Sequence, residues 1–220
     1  MVPAVSPLTD EIKPRLRGWL HAGAFPIALA AGVVLVALSP TTPTRVSSSI
    51  YGITGALQFG ISAVYHRGNW GRRTYGVLRR LDHANIFLLI AGSTTPFAVL
   101  LLEGQGGATL LSIVWIGALL GVLFRVGWAS APRWFFTPIY IALGWVAALY
   151  VPEIYAVGGA AVVALLVLGG TLYSVGGVIY ALGRPNWSPR WFGYHELFHA
   201  LTLAAFLAHY VSVSLLIHAA

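Results

Sequence analysis

The sequence predicts an all-α protein, a seven-transmembrane-helix bundle with the N-terminus cytoplasmic and the C-terminus outside. Three observations predict it. Of 220 residues, 58% are hydrophobic and 9% charged, with mean hydropathy +0.79, a composition that soluble domains of this size do not have. The apolar residues gather into seven stretches close to the ~20 residues that cross a ~30 Å hydrocarbon core as helix. Twelve of the 13 Lys and Arg then fall on one side of the threaded chain, the positive-inside pattern. The ~10-residue segments of alternating polarity that a β-barrel needs are missing from the sequence.

Residues 1–19 are expected to be a short cytoplasmic tail, since "MVPAVSPLTDEIKPR" is polar and Pro-rich and has no apolar signal core. Residues 20–220 are then a single membrane domain. Its spans are expected at roughly 20–39, 47–66, 82–102, 108–127, 135–151, 156–180 and 195–217, separated by clusters of Arg, Pro, Gly and Asn that read as loops. Lys13, Arg15 and Arg17 precede helix 1, and Arg67, Arg72, Arg73, Arg79 and Arg80 lie between helices 2 and 3. Arg125 and Arg133 flank the next connection on that side, and Arg184 and Arg190 the last; Arg45 alone lies opposite. The net charge of +7 is thus a rim facing anionic headgroups of the inner leaflet of the cell membrane, which argues against nucleic acid as a partner. With no cysteine in the chain, disulfides and thiolate metal sites are excluded.

Ionisable groups inside hydrocarbon are costly, on the order of +2.5–3.5 kcal/mol for a charged Asp, so each is weighed individually. His66 is expected to end helix 2, Asp82 to open helix 3, and His195 and His199 to open helix 7, which puts all four at one depth. His195 and His199 in "GYHELFHALTLAAF" are four apart, about 40° around a helix and about 6 Å along it, so their imidazoles can share one cation. Ser62 and His66 have the same spacing, with the hydroxyl one turn deeper. Three imidazoles and an open fourth position form a catalytic zinc arrangement, in which bound water drops from a pKa of 15.7 to about 7. A nitrogen-rich site suits zinc better than calcium or magnesium, with iron or another transition metal as alternatives. Asp82 would orient or deprotonate the water, and Ser62 would hydrogen-bond that Asp or a substrate oxygen.

Each element also has a plain structural reading. A single His at a helix end is usually interfacial or hydrogen-bonded, and Asp82 could cap helix 3 or pair with Arg79 or Arg80. The HExxH pattern offers Glu196 as the general base of a membrane metalloprotease, but Glu196 lies about 100° from His195 and is expected to face headgroups or a loop. His83 points away from Asp82, which suits fixing helix 3 better than ligation. His209 is about 15 Å from His199 along helix 7 and suits an interhelical hydrogen bond, and His218 falls in the terminal tail. "AGSTTPF" (91–97) is small and hydroxylated around Pro96, so it either packs tightly, with Ser/Thr satisfying the carbonyl that Pro96 frees, or kinks to open a lipid-tail cavity. "LGGTLYSVGG" (168–177) reads as a packing segment, and Trp19, Trp70, Trp134 and Trp187 suit the interfacial belt.

"FGISAVYH" (59–66), "LDHANIFLLIAGSTTPF" (81–97) and "HELFHALTLAAFLAHY" (195–210) together resemble the bacterial haemolysin III family, within the progestin and adipoQ receptor superfamily, over nearly the whole chain from His21. The resemblance implies a seven-helix bundle with a cytoplasmic N-terminus. It implies zinc on His66, His195 and His199, a water-holding role for Asp82, the motif serine at Ser62, and kinship with ceramidase-like hydrolases of lipid amide bonds. One departure is that "KPRLRGWLH" places Arg17 where the family's first motif has Asn before His21.

The leading expectation is a zinc-dependent hydrolase of lipid amide or ester bonds, with membrane lipids as partners and the scissile bond at inner-leaflet depth. The alternatives are a receptor or regulator of membrane lipid state with a structural zinc tethering helices 2 and 7, and a pore-forming haemolysin. The sequence contains no amphipathic toxin-like segment to support the pore.

Overall fold

The computed structural model describes residues 14–102, 104–128, 130–188 and 190–219. Residues 1–13 of the expected tail, Lys13 included, lie outside the described residues. The described residues form α1 (Trp19–Leu38), α2 (Thr42–Arg67), α3 (Arg72–Leu101), α4 (Gln105–Gly127), α5 (Arg133–Gly144), α6 (Val151–Leu182) and α7 (Tyr194–Ala219). A 3-10 turn, Trp145–Tyr150, joins α5 to α6. The sole β feature among the described residues is an isolated bridge between Ser188 and Phe192.

Five helical stretches are long and apolar enough to cross a membrane, so the chain is a multi-pass membrane protein: Trp19–Leu38, Arg72–Leu101, Gln105–Gly127, Arg133–Leu182 and Tyr194–His218. Two differences from the expected seven have physical causes. α2 carries Thr44, Ser47, Ser48, Thr54, Gln58 and Ser62, all buried, which lower its mean hydropathy while turning a polar stripe to the bundle interior. The spans expected at 135–151 and 156–180 are joined into one 50-residue helical run. Within that run Gly159 has φ 74 and ψ −178, a backbone state only glycine adopts without strain. The Trp145 indole donates to Ser174 Oγ at 2.8 Å, and Thr137 packs on Gly177, so residues 137–145 run antiparallel beside residues 174–177.

Chain neighbours pack side by side. Gly32 and Gly52 bring the α1 and α2 backbones together, a Cβ on either meeting the other's Cα at 3.0–3.1 Å, as small residues allow between membrane helices. α7 then inserts against several helices. Tyr51 of α2 donates to the Phe206 carbonyl at 2.8 Å, and His209 Nε2 donates to the Leu166 carbonyl of α6 at 3.2 Å, the interhelical bond expected of it. His218 belongs to the last turn of α7 rather than to a tail.

The "AGSTTPF" segment packs without interrupting α3. Thr94 Oγ1 donates to the Ile90 carbonyl and Thr95 Oγ1 to the Ala91 carbonyl, so the hydroxyls serve carbonyls other than the Gly92 oxygen that Pro96 leaves. Thr95 Oγ1 also accepts from the Trp115 indole of α4 at 3.1 Å. Glycines of "LGGTLYSVGG" likewise receive neighbours: Gly169 faces His209, and Gly176 faces Leu201 and Phe198.

Candidate metal centre

α3 does not begin at Asp82. It begins at Arg72, because Arg is a good helix former and Gly76 alone does not stop a helix packed on its neighbours. Asp82 therefore stands mid-helix, about 15 Å from the first residue of α3, and the reading of it as a helix cap fails. α3 overshoots the end of α2 by enough that Asp82 still meets His66, with Oδ2 3.8 Å from His66 Nε2.

The expected residues of three helices converge. His66, at the end of α2, and His195, in the first turn of α7, turn their Nε2 atoms to each other at 3.1 Å. His199 lies one turn along α7, its ring centroid 4.5 Å from that of His195 and 5.2 Å from that of His66. One nitrogen from each of the three buried imidazoles fits within a 4.8 Å group. Two nitrogens on a tetrahedral ion with bonds of 2.0–2.1 Å would stand about 3.3 Å apart, close to the 3.1 Å between His66 and His195. Ser62 lies beside Asp82, yet Ser62 Oγ and Asp82 Oδ1 are buried without a hydrogen-bond partner of acceptable geometry. Such atoms cost about 1–3 kcal/mol each and are the acceptor and donor that a water beside a cation would use. The donor set and these atoms fit a metal ion.

His83 adjoins Asp82, with Nδ1 3.9 Å from Oδ2, but its Nδ1 donates to the Arg79 carbonyl at 2.7 Å and its Nε2 accepts from Tyr180 at 3.0 Å. Both nitrogens are engaged, which fixes α3 against α6 and leaves none for an ion.

Glu196 does not face headgroups or a loop. Its residue is 1% exposed, its Oε1 receives Arg17 Nε in an ion pair, and its Oε2 accepts from the Gly193 backbone N–H at 2.8 Å. The last contact is half a capping box, a Glu at N3 reaching back to the residue before the helix. Residues before α1 are tied to the same end, with Arg15 N donating to the Arg190 carbonyl at 2.9 Å and Leu16 N to that of Trp191 at 3.3 Å. This strap is invisible to helical periodicity, because it joins residues about 180 positions apart.

His21 is the site residue whose place was least legible. Its ring stacks on His199 with centroids 3.8 Å apart and planes 5° from parallel, and neither of its nitrogens has a hydrogen-bond partner among the described residues. Gln58 continues the stripe of α2 one turn deeper than Ser62, a spacing of four that was readable in the sequence. With Tyr173 and His209 it lines a cavity of about 90 Å³ that begins beside Tyr180 and Phe198, next to the histidines.

The family model described as haemolysin-III related matches residues 9–210. A hemolysin-3 homolog of Bacillus subtilis (strain 168) is 34% identical over 168 residues, 76% of each chain. Hemolysin-3 of Bacillus cereus is 32% identical over 140 residues, 64% of each chain. This chain belongs to the haemolysin III family.

Proposed function

We propose that this haemolysin III family member is a seven-pass protein of the cell's inner membrane, its N-terminus cytoplasmic, that holds zinc on His66, His195 and His199 and hydrolyses a lipid amide bond. The observation that carries the reading is the convergence of three buried imidazoles, with two Nε2 atoms 3.1 Å apart, beside the buried carboxylate of Asp82. Seven passes are supported by the antiparallel course of α5 beside the second half of α6, which requires the chain to reverse between them. The orientation is supported by the arginines: Arg17, Arg125 and Arg133 share one end of the bundle, whereas Arg45 caps the other by donating to the Ser39 carbonyl.

A divalent ion on three neutral imidazoles with an open position supplies Lewis acidity and makes water a nucleophile near neutral pH. The chain's own residues do the rest. His66 comes from α2 and the other two imidazoles from α7, so the ligand set depends on how those helices pack. Asp82, with Ser62 beside it, accepts a proton from water or holds the water toward the carbonyl carbon. Ser62 donates to Asp82 or to the substrate oxygen, and His21, stacked on His199, sets the plane of that ring. The apolar cavity below Phe198 receives an acyl chain.

Metal analysis of the purified protein tests the reading. About one zinc per chain, absent in His195→Ala and present in Asp82→Asn, with lipid-amide hydrolysis present in the parent and lost in both variants, is the expected result. Protein purified without chelator and carrying no stoichiometric metal would overturn the zinc site. Metal present with no turnover in the parent on any acylated lipid would leave a structural ion in a lipid-responsive membrane protein.

A further inference from the structure

An open cavity of about 760 Å³ lies at the basic end of the bundle and reaches His66 and His195 on its inner side. Four arginines line it, Arg17, Arg79, Arg125 and Arg133, and no carboxylate does among the described residues. Arg17 is engaged by Glu196. Arg79 and Arg133 are exposed, as the basic rim of any such protein would be. Arg125 is different.

Arg125, in the last turn of α4, is 4% exposed. Its guanidinium lies over the Phe136 ring at 4.7 Å, its Nη1 makes one long hydrogen bond of 3.4 Å to the Ala131 carbonyl, and its Nε has no hydrogen-bond partner among the described residues. No carboxylate stands within 4.0 Å of it among the described residues; Asp82 interacts with its charge at longer range but is turned to His66 and His83. A guanidinium has five N–H donors and keeps its charge when buried. Left with one long bond inside a protein it is costly, and topology does not explain it, because a charge that serves only the positive-inside bias belongs in water.

We propose that this vestibule binds the phosphate of an anionic lipid, with Arg125 as the buried anchor and Arg79 and Arg133 as the rim that attracts it. The planar fork of Arg125 matches two phosphate oxygens, and the ring of Phe136 holds the fork in plane. Resting on the hydrolase reading above, this names the substrate class: an acyl lipid whose headgroup carries phosphate, its charged group in the vestibule and its acyl linkage at the histidines. A neutral lipid would offer the Arg125 fork no pair of charged oxygens.

The test is equilibrium binding to the full chain in nanodiscs of neutral lipid, with a fluorescent short-chain phosphatidate, its uncharged diacylglycerol analogue, and inorganic phosphate as competitor. The parent is expected to prefer phosphatidate at least tenfold. Arg125→Gln is expected to lose that preference while keeping its affinity for the neutral analogue, and Arg125→Lys to recover it only in part, as a point charge lacks the fork. Competition by inorganic phosphate would place recognition in the phosphate alone, and its absence in the lipid-borne group; both support the site. Equal affinity of the parent for charged and neutral lipid overturns the proposal without need of any variant, as does unchanged phosphatidate affinity in folded Arg125→Gln. Because binding is read without turnover, the two readings separate. Arg125-dependent binding by a protein that hydrolyses nothing keeps the anion site and removes the enzyme. Hydrolysis that is indifferent to headgroup charge keeps the enzyme and removes the anion site.

Discussion

Six of the seven histidines lie buried in the bundle, and they fall into two kinds of surroundings. His83 and His209 each donate to a backbone carbonyl, and His83 also receives a Tyr hydroxyl. His21, His66, His195 and His199 instead meet one another, ring against ring. The first pair behaves as polar glue between helices, whose bonds are worth about 0.6 kcal/mol on average in a membrane protein. The second group brings one nitrogen each of His66, His195 and His199 within 4.8 Å of one another, with the His21 ring stacked on His199. A histidine in a membrane helix thus signals a site only when its nitrogens converge with others; burial alone does not distinguish the two kinds.

The comparison can be broken most directly at the ligands. His66→Ala, His195→Ala or His199→Ala is each expected to abolish stoichiometric metal and hydrolysis together, measured by elemental analysis and lipid-amide turnover, whereas His83→Ala is expected to keep its metal. Retention of metal in all three would erase the distinction. Asp82→Asn sharpens it: metal content should hold while turnover falls about 10²–10⁴-fold, the range for general acid–base groups. A third change tests the strap over the cluster. Arg17→Ala leaves Glu196 buried without its cation, and is expected to lower stability by about 2–3 kcal/mol, below the 3–5 of a fully enclosed pair because the Arg17 side chain is 20% exposed. Denaturation in detergent by urea or heat would measure it, and an unchanged midpoint would show that the strap does not hold α7. The smallest effect belongs to His209→Phe, expected to cost about 0.6 kcal/mol with metal and turnover unaltered.

Much of this was readable from residue spacing. The pairs Ser62/His66 and His195/His199 are each four apart, and on a helix that spacing alone sets both members on one face. The meeting of Asp82 with His66 follows from a different geometry than the sequence suggests: Asp82 lies ten residues inside a helix rather than at its start. Loop signals at Arg72–Arg80 misled because arginine in a membrane protein marks an interface, not the end of a helix. Glu196 was placed toward solvent for a similar reason, since the 100° offset from His195 was correct but the residue filling that side, Arg17, comes from the far end of the chain.

What the sequence determined by itself is the membrane class, the approximate helical stretches and the residue types at the histidine cluster. All of these follow from local quantities, namely hydropathy over ~20 residues and a 3.6-residue period. Tertiary structure alone decided which histidines meet one another and which find a carbonyl, that Arg17 closes on Glu196, and that Arg125 is buried without an acid. Each of these depends on helix register and rotation between segments distant in the chain, and packing of small residues such as Gly32 on Gly52 sets that register through contacts no single helix contains.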